Sequence, residues 1–325
     1  MTSKTTSYVC TMIVLGALAA LAVGGCGTSG TTKSPAASAP DQGRIAYIEE
    51  AGEEMRLVTV GADGTGRREL EHLGSQEVAN PDWSADGARL AYEISTPAPH
   101  AGVVVANADG SGAHDLTPRG FQGQPAFTPD GHSIVFEREA HGNGIWIMRA
   151  DGTHPHRLTR NPFRVEDGCG CDTDPNVSPD GRTVTFVRVK HDDELAALFS
   201  MRIDGTHLRR LTPYRWDVAV KHAWSPDGTR IALTRNANFA AGPSANIVTI
   251  RPDGRDVLSV TRFADGRSAF VGSFSPDGRR LVARIEDEDA NELTTMDLSG
   301  RSVRVLSRST TVKPRFMDWG PTPAR

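Results

Sequence analysis

From Arg44 onward the chain alternates short β-rich apolar runs with compact polar turns. RLAY (89–92), SIVF (133–136), TVTF (183–186), RIAL (230–233) and RLVA (280–283) each follow a turn of one kind. The full units read WSADGARLAY at 83–92, FTPDGHSIVF at 127–136, VSPDGRTVTF at 177–186, WSPDGTRIAL at 224–233 and FSPDGRRLVA at 274–283. In S-P-D-G, Ser suits the first turn position and Pro presets φ for the second. Asp tolerates the third, and Gly takes the left-handed conformation at the fourth. The unit therefore predicts a tight hairpin. A short strand with an apolar or aromatic residue (Trp83, Phe127, Val177, Trp224, Phe274) comes before it, and a second strand follows.

A second pattern interleaves with the first: LVTVGADGTG, VVVANADGSG, IWIMRADGTH, LFSMRIDGTH, IVTIRPDGRD and LTTMDLSGRS. Its turns are at Asp63, Asp109, Asp151, Asp204, Asp253 and Ser299, and another short strand follows each one. Four short strands per period of roughly 40–50 residues is the signature of a propeller blade. The first blade opens at RIAYIEE (44–50) with no inner strand before it. KPRFMDWG (Lys313–Gly320) supplies one, with Trp319 where other inner strands carry Trp83 or Trp224. The prediction is an all-β, six-bladed propeller over 44–320 with a short tail at 321–325. The C-terminal strand completes the first blade and removes the open edge it would otherwise leave.

These units resemble the WD-like β-propeller repeat of the TolB type, in which P-x-W-S-P-D-G-x-x-I-A-F recurs. The resemblance covers essentially all of 44–320. It implies the fold rather than a chemistry, because such a family uses the unit as scaffolding. TolB itself has an α/β domain before its propeller, whereas here only a tether precedes Arg44.

The N-terminus changes the picture from fold to location. Lys4 precedes an apolar stretch, VCTMIVLGALAALAV (9–23), followed by Gly24, Gly25 and Cys26. That is the pattern of a secretory signal, and it is short for a membrane span. LAVGGC resembles the bacterial lipoprotein box, which implies cleavage after residue 25 and acylation of Cys26. Small polar residues then run to Gly43 and read as a flexible tether over 26–43. Apolar and charged contents of 38% and 23% are those of a globular chain. The net charge is −4, and no basic block supports a nucleic-acid partner. A monomer is expected.

Binding is expected in two places. The variable loops should gather on one face of the ring, opposite both turn families. They carry Phe121, Phe163, Tyr214, Trp216, Phe263 and Phe270, and Trp216 beside Arg215 and Asp217 stands out. The second place is the central channel. If the inner-strand aromatics pack between blades, their neighbours Asp82, Ala126, Asn176, Ala223, Ser273 and Asp318 face the channel. Asn80, Gln124, Asp174, Lys221, Val271 and Phe316 lie nearer the loop-side mouth. Cys169 and Cys171, in FRVEDGCGCDTD (163–174), are candidates for a local disulfide, ahead of free thiols and ahead of metal ligation.

No G-x-S-x-G and no H-E-x-x-H occurs, and no glycine-rich phosphate loop follows a strand. Oligogalacturonate lyases resemble this repeat type and use a His-rich mouth; here His222 stands alone among the mouth positions. No catalytic residue, metal or cofactor is assigned. The expectation is a lipid-anchored extracytoplasmic binding module for a protein or cell-envelope polymer, touching the membrane only through its anchor. A hydrolase or lyase using acids such as Asp174 and Asp318 is the alternative, and a purely structural module the third reading.

Overall fold

A computed structural model describes residues 43–72, 77–95, 102–117, 122–138, 144–160, 171–190, 195–237 and 244–323. The expected signal segment, Cys26 and the tether up to residue 42 lie outside the described residues, as do Phe121, Phe163 and Cys169. The strands form six antiparallel four-stranded sheets. Blade 1 is ordered β24 (Lys313–Gly320), β1 (Arg44–Ala51), β2 (Glu54–Gly61), β3 (Arg68–His72). Blade 2 holds β4 (Glu77–Trp83), β5 (Arg89–Ser95), β6 (Gly102–Asn107) and β7 (His114–Asp115). Blade 3 holds β8 (Gln122–Phe127), β9 (Ser133–Arg138), β10 (Gly144–Arg149) and β11 (His156–Arg157). Blade 4 holds β12 (Asp172–Val177), β13 (Thr183–Val189), β14 (Ala196–Arg202) and β15 (Arg209–Arg210). Blade 5 holds β16 (His222–Trp224), β17 (Ile231–Arg235), β18 (Asn246–Ile250) and β19 (Leu258–Ser259). Blade 6 holds β20 (Ser268–Phe274), β21 (Arg280–Glu286), β22 (Asn291–Asp297) and β23 (Arg304–Ser309). The six-bladed all-β fold closed by the C-terminal strand is thus present. No helix among the described residues is long and apolar enough to cross a membrane.

Strand alternation explains where the core lies. Successive side chains of β1 point to opposite faces. Ala46 and Ile48 pack with Trp83, Leu90 and Tyr92 of blade 2, while Ile45 and Tyr47 pack with Val282 and Leu293 of blade 6. The other clusters are built the same way: Ala91 and Val103 of blade 2 meet Phe127, Ile134 and Phe136 of blade 3. Each blade therefore buries both faces against its neighbours, and the hydrophobic core is a set of inter-blade seams.

The turns are more than steric fits. In W-S-P-D-G-T-R, the Ser225 hydroxyl donates to Asp227 Oδ1 (2.6 Å) and accepts from the Arg230 N–H (2.9 Å). Asp227 also accepts the Thr229 N–H at 3.0 Å, and Gly228 sits at φ +69°. Hydrogen bonds from Ser225 and then from Thr229 hold the Asp227 carboxyl below the usual carboxylate range. Comparable donors lower Asp86, Asp130 and Asp180.

The seam between blades 1 and 2 allows no extra atom at Gly320. A Cβ there would lie 2.2 Å from Trp83 Cγ and 2.5 Å from Cδ1. Gly320→Ala is expected to destabilise the propeller by about 1–3 kcal/mol, the usual cost of overpacking. A urea titration checks this; an unchanged midpoint would mean the seam is loosely packed.

Candidate functional site

Four inner-strand residues have left-handed backbones although none is glycine: Asn80 (φ 49°), Gln124 (51°), Asp174 (48°) and Phe316 (51°). Each sits three residues before the apolar or aromatic residue of its strand, where the ladder register slips by one bulge. The bulge re-aims the residues that follow it. Their side chains then reach sideways to the next blade. Asp318 accepts the Trp83 N–H (2.8 Å), Asp82 accepts the Phe127 N–H (2.8 Å) and Ser273 accepts the Trp319 N–H (2.7 Å). In blade 4, Asn176 instead donates to the His222 carbonyl (3.2 Å). Ala126 and Ala223 carry no such group. Each such hydrogen bond is worth about 0.5–1.5 kcal/mol, more where the acceptor is charged, so these contacts tie neighbouring inner strands together from inside.

The same residues floor a cavity of about 410 Å³ on the axis. Asp82, Asp318, Lys221, Asn176 and Ser273 line its inner end. Trp83, Phe127, Trp224, Phe274 and Trp319 form its wall, and Pro129, Pro179, Pro226, Pro276 and Pro321 its rim. Those prolines belong to, or correspond to, the S-P-D-G turns. The cavity therefore reaches the turn face, whereas the sequence places the mouth on the loop side. Toward the loop side the axis carries buried Asn80, Glu93, Glu137, Thr173 and Asp174. Asn80 donates to Glu93 (2.9 Å) and Thr173 to Glu137 (2.7 Å), and the Gln124 amide oxygen accepts the Asp174 N–H.

Withdrawal from water and the nearby Asp318 carboxylate push the Asp82 carboxyl well above its usual range, against the pull of Lys221 and the Phe127 N–H. Burial alone would lower the Lys221 ammonium, but Asp174, Asp318 and Asp82 outweigh it and hold the group above the usual lysine value. The floor is thus a mixed-charge, proton-sensitive surface under an apolar wall.

His222 is fully buried, with Nδ1 2.9 Å from Asp174 Oδ2 and Nε2 2.8 Å from Thr185 Oγ1. The Thr185 contact is a hydrogen bond, whereas Nδ1 lies at ion-pair distance from Asp174 without hydrogen-bond geometry, so the three groups do not form an acid–imidazole–hydroxyl relay. Thr185 is fully buried, and its hydroxyl also accepts the Trp224 indole N–H at 2.9 Å. No substrate reaches it; the cluster joins blade 4 to blade 5. The sequence offers no sign of this, since His222 and Thr185 are 37 positions apart. Among the described residues no group of three or more His, Cys, Asp or Glu side chains is placed to hold a metal ion.

Among the described loop aromatics, Tyr214 and Phe263 pack against the blades. Tyr214 packs on Phe199 (6.2 Å between ring centroids), with Lys190 and Arg210 over its ring. Phe263 packs on the core between blades 5 and 6, with Arg267 over its face. Trp216 ends a single 3₁₀ turn, Tyr214–Trp216, and is half-buried, while Arg215 is exposed. Phe163 and Cys169 lie outside the described residues. Cys171 is buried immediately before β12, its carbonyl accepting the Val189 N–H (2.9 Å).

The wild-type Asp82 carries a defined pH signature. Its folded value lies above its unfolded one, so its contribution to stability is complete below about pH 4 and is lost as pH rises through the folded value. Asp82→Asn should therefore gain stability relative to wild type between about pH 4.5 and 7.5; Lys221 stays protonated throughout. Urea midpoints at the two pH values measure this, and an equal difference at both would contradict it.

Comparison with known proteins places this geometry. The TolB beta propeller domain model matches residues 37–322. The Tol-Pal system protein TolB of Bordetella pertussis is 30% identical over 155 residues, 44% of this chain and 31% of that protein. An uncharacterized peptidase of Bacillus subtilis, YuxL, is 31% identical over 129 residues, 38% of this chain and 18% of that one. This chain thus spans less than a third of the length of either relative. Among solved structures, TolB from Acinetobacter baumannii superposes with a TM-score of 0.71 at 22% identity, over 86% of this chain and 67% of that one. A TolB-type structure from Agrobacterium tumefaciens gives 0.60 at 19% identity, over 86% and 99%. Both likenesses show the fold. The chain belongs to the TolB β-propeller family.

Proposed function

We propose that this protein is an extracytoplasmic binding module, anchored through an acylated Cys26, that receives a segment of a protein or cell-envelope polymer in the turn-face mouth of its channel. One observation carries the reading: an axial cavity of about 410 Å³ with an aromatic wall and a proline rim over a charged floor. Aromatic and proline surfaces bury an extended chain at low entropic cost, and a few polar groups at the base fix its orientation. The TolB relatives named as Tol-Pal system proteins support a protein partner over a polymer. The apolar segment at 9–23 and LAVGGC support export and lipidation. The Asp174–His222–Thr185 cluster does not itself support the hydrolase alternative, because it is buried.

Capture from solubilised envelope tests the reading. Trp224→Ala with Lys221→Met is expected to reduce recovery of the partner at least about tenfold, the loss of roughly 1.4 kcal/mol or more at a central aromatic anchor. Trp216→Ala is expected to leave it unchanged. Loss with Trp216→Ala and retention with the channel pair would move the site to the loop face and contradict the proposal.

A further inference from the structure

In blades 2, 3 and 5 the residue after RLAY, SIVF and RIAL carries a side chain that leans on the next blade's inner strand. Glu93 there accepts the Gln124 N–H (3.1 Å), and Thr234 accepts the Val271 N–H (2.9 Å). Glu137 accepts the Thr173 hydroxyl at 2.7 Å. Blades 1 and 4 carry the apolar Ile48 and Val187 at that position, and blade 6 carries Arg284, which can only donate. Arg284 is 8% exposed and its guanidinium lies 4.3 Å over Phe270. One terminal nitrogen is 3.2 Å from Glu286 Oε2, but Nε has no hydrogen-bond partner among the described residues. Strand β24 adds two more cations. Lys313 is 3.4 Å from the same Glu286 oxygen, and Arg315 is 2.8 Å from Glu50 with Phe316 under its guanidinium.

Three cations therefore share two carboxylates at the loop end of the seam between blades 6 and 1. Burial takes Arg284 down to about 10, with Arg315 adding to the fall. Burial and Arg284 likewise lower Lys313. Lys313 and Arg315 remain partly open to solvent, with side chains 29% and 28% exposed. Unneutralised positive charge, an idle buried donor and an open approach together describe a site short of one anion.

We infer that this seam binds a single carboxylate group, held by Arg284, Lys313 and Arg315 and flanked by Phe270 and Phe316. The guanidinium fork matches a planar carboxylate, and the aromatic faces suit the carbon skeleton beside it. Exposed Asp287, Glu288 and Asp289 stand on the adjoining loop and repel multiply charged anions, which favours a carboxylate over a phosphate. The ligand is thus of the class of an acidic side chain or a chain terminus. The site lies on the face opposite the channel mouth and does not depend on the reading of that mouth.

The probe is trifluoroacetate, followed by ¹⁹F line width with the full chain at constant ionic strength. Wild type is expected to broaden the line, and acetate to reverse the broadening where equal chloride does not. Lys313→Met with Arg315→Met, both at partly exposed positions, is expected to weaken binding about tenfold or more. Glu50→Gln removes a competing carboxylate and is expected to tighten binding about two- to five-fold. No broadening in wild type, equal broadening in the double variant, weaker binding in Glu50→Gln, or displacement by phosphate as effective as by acetate would each overturn the inference.

Discussion

Strand β24 pairs with β1 from Arg44↔Gly320 to Glu50↔Lys313, joining parts of the chain 265 positions apart at Arg315 and Glu50. Closing a loop of that length costs about 5 kcal/mol of chain entropy. No local interaction offsets that cost. It is met by the ladder itself, by Trp319 in the seam with blade 6, by Asp318 reaching the Trp83 N–H, and by Ser273 receiving the Trp319 N–H. Because every blade buries both faces against neighbours, an unclosed ring would leave two apolar sheet faces and an unpaired strand edge in water. Closure is thus a condition for all six seams.

The inner strands that close the ring also make the candidate site. Asp82 and Asp318 lock adjacent blades with one carboxylate oxygen each and line the cavity. Burial, and then the nearby Asp318, raise Asp82 well above its ordinary range against the pull of Lys221, so the floor is held at a cost to stability near neutral pH. Such a cost is familiar where polar groups are kept for recognition. The left-handed bulges at Asn80, Asp174 and Phe316 belong to the same arrangement, because Asp82, Asn176 and Asp318 after them reach the next blade.

Much of this was legible in the sequence, and for a local reason. S-P-D-G, A-D-G and Trp319 in the last strand are short-range signals, and hairpin chemistry is short-range. Simple alternation also brought Asp82, Asn176 and Asp318 to the channel, with Asp174 and Lys221 close by. What was hidden depends on contacts across blades. Tyr214 reads as an exposed loop aromatic until Phe199 is placed beneath it. His222 reads as solitary until Asp174 and Thr185 come from another blade. That the cavity reaches the turn face was hidden too, because the prolines that preset the turns also form its rim. Arg284 could have been noticed: aligned with Glu93, Glu137 and Thr234, it is the one residue at that position that carries a positive charge.

The dependence of the whole fold on β24 is tested most directly by a chain ending at Val312, compared with the full chain by hydrogen exchange and urea denaturation. Closure by β24 requires that protection fall in all six blades and that the single cooperative transition be lost, with both restored by a peptide of residues 313–325 added in trans. Unchanged protection in blades 2 to 5 and an unchanged midpoint would contradict it, and would show that the blades hold one another without the ring.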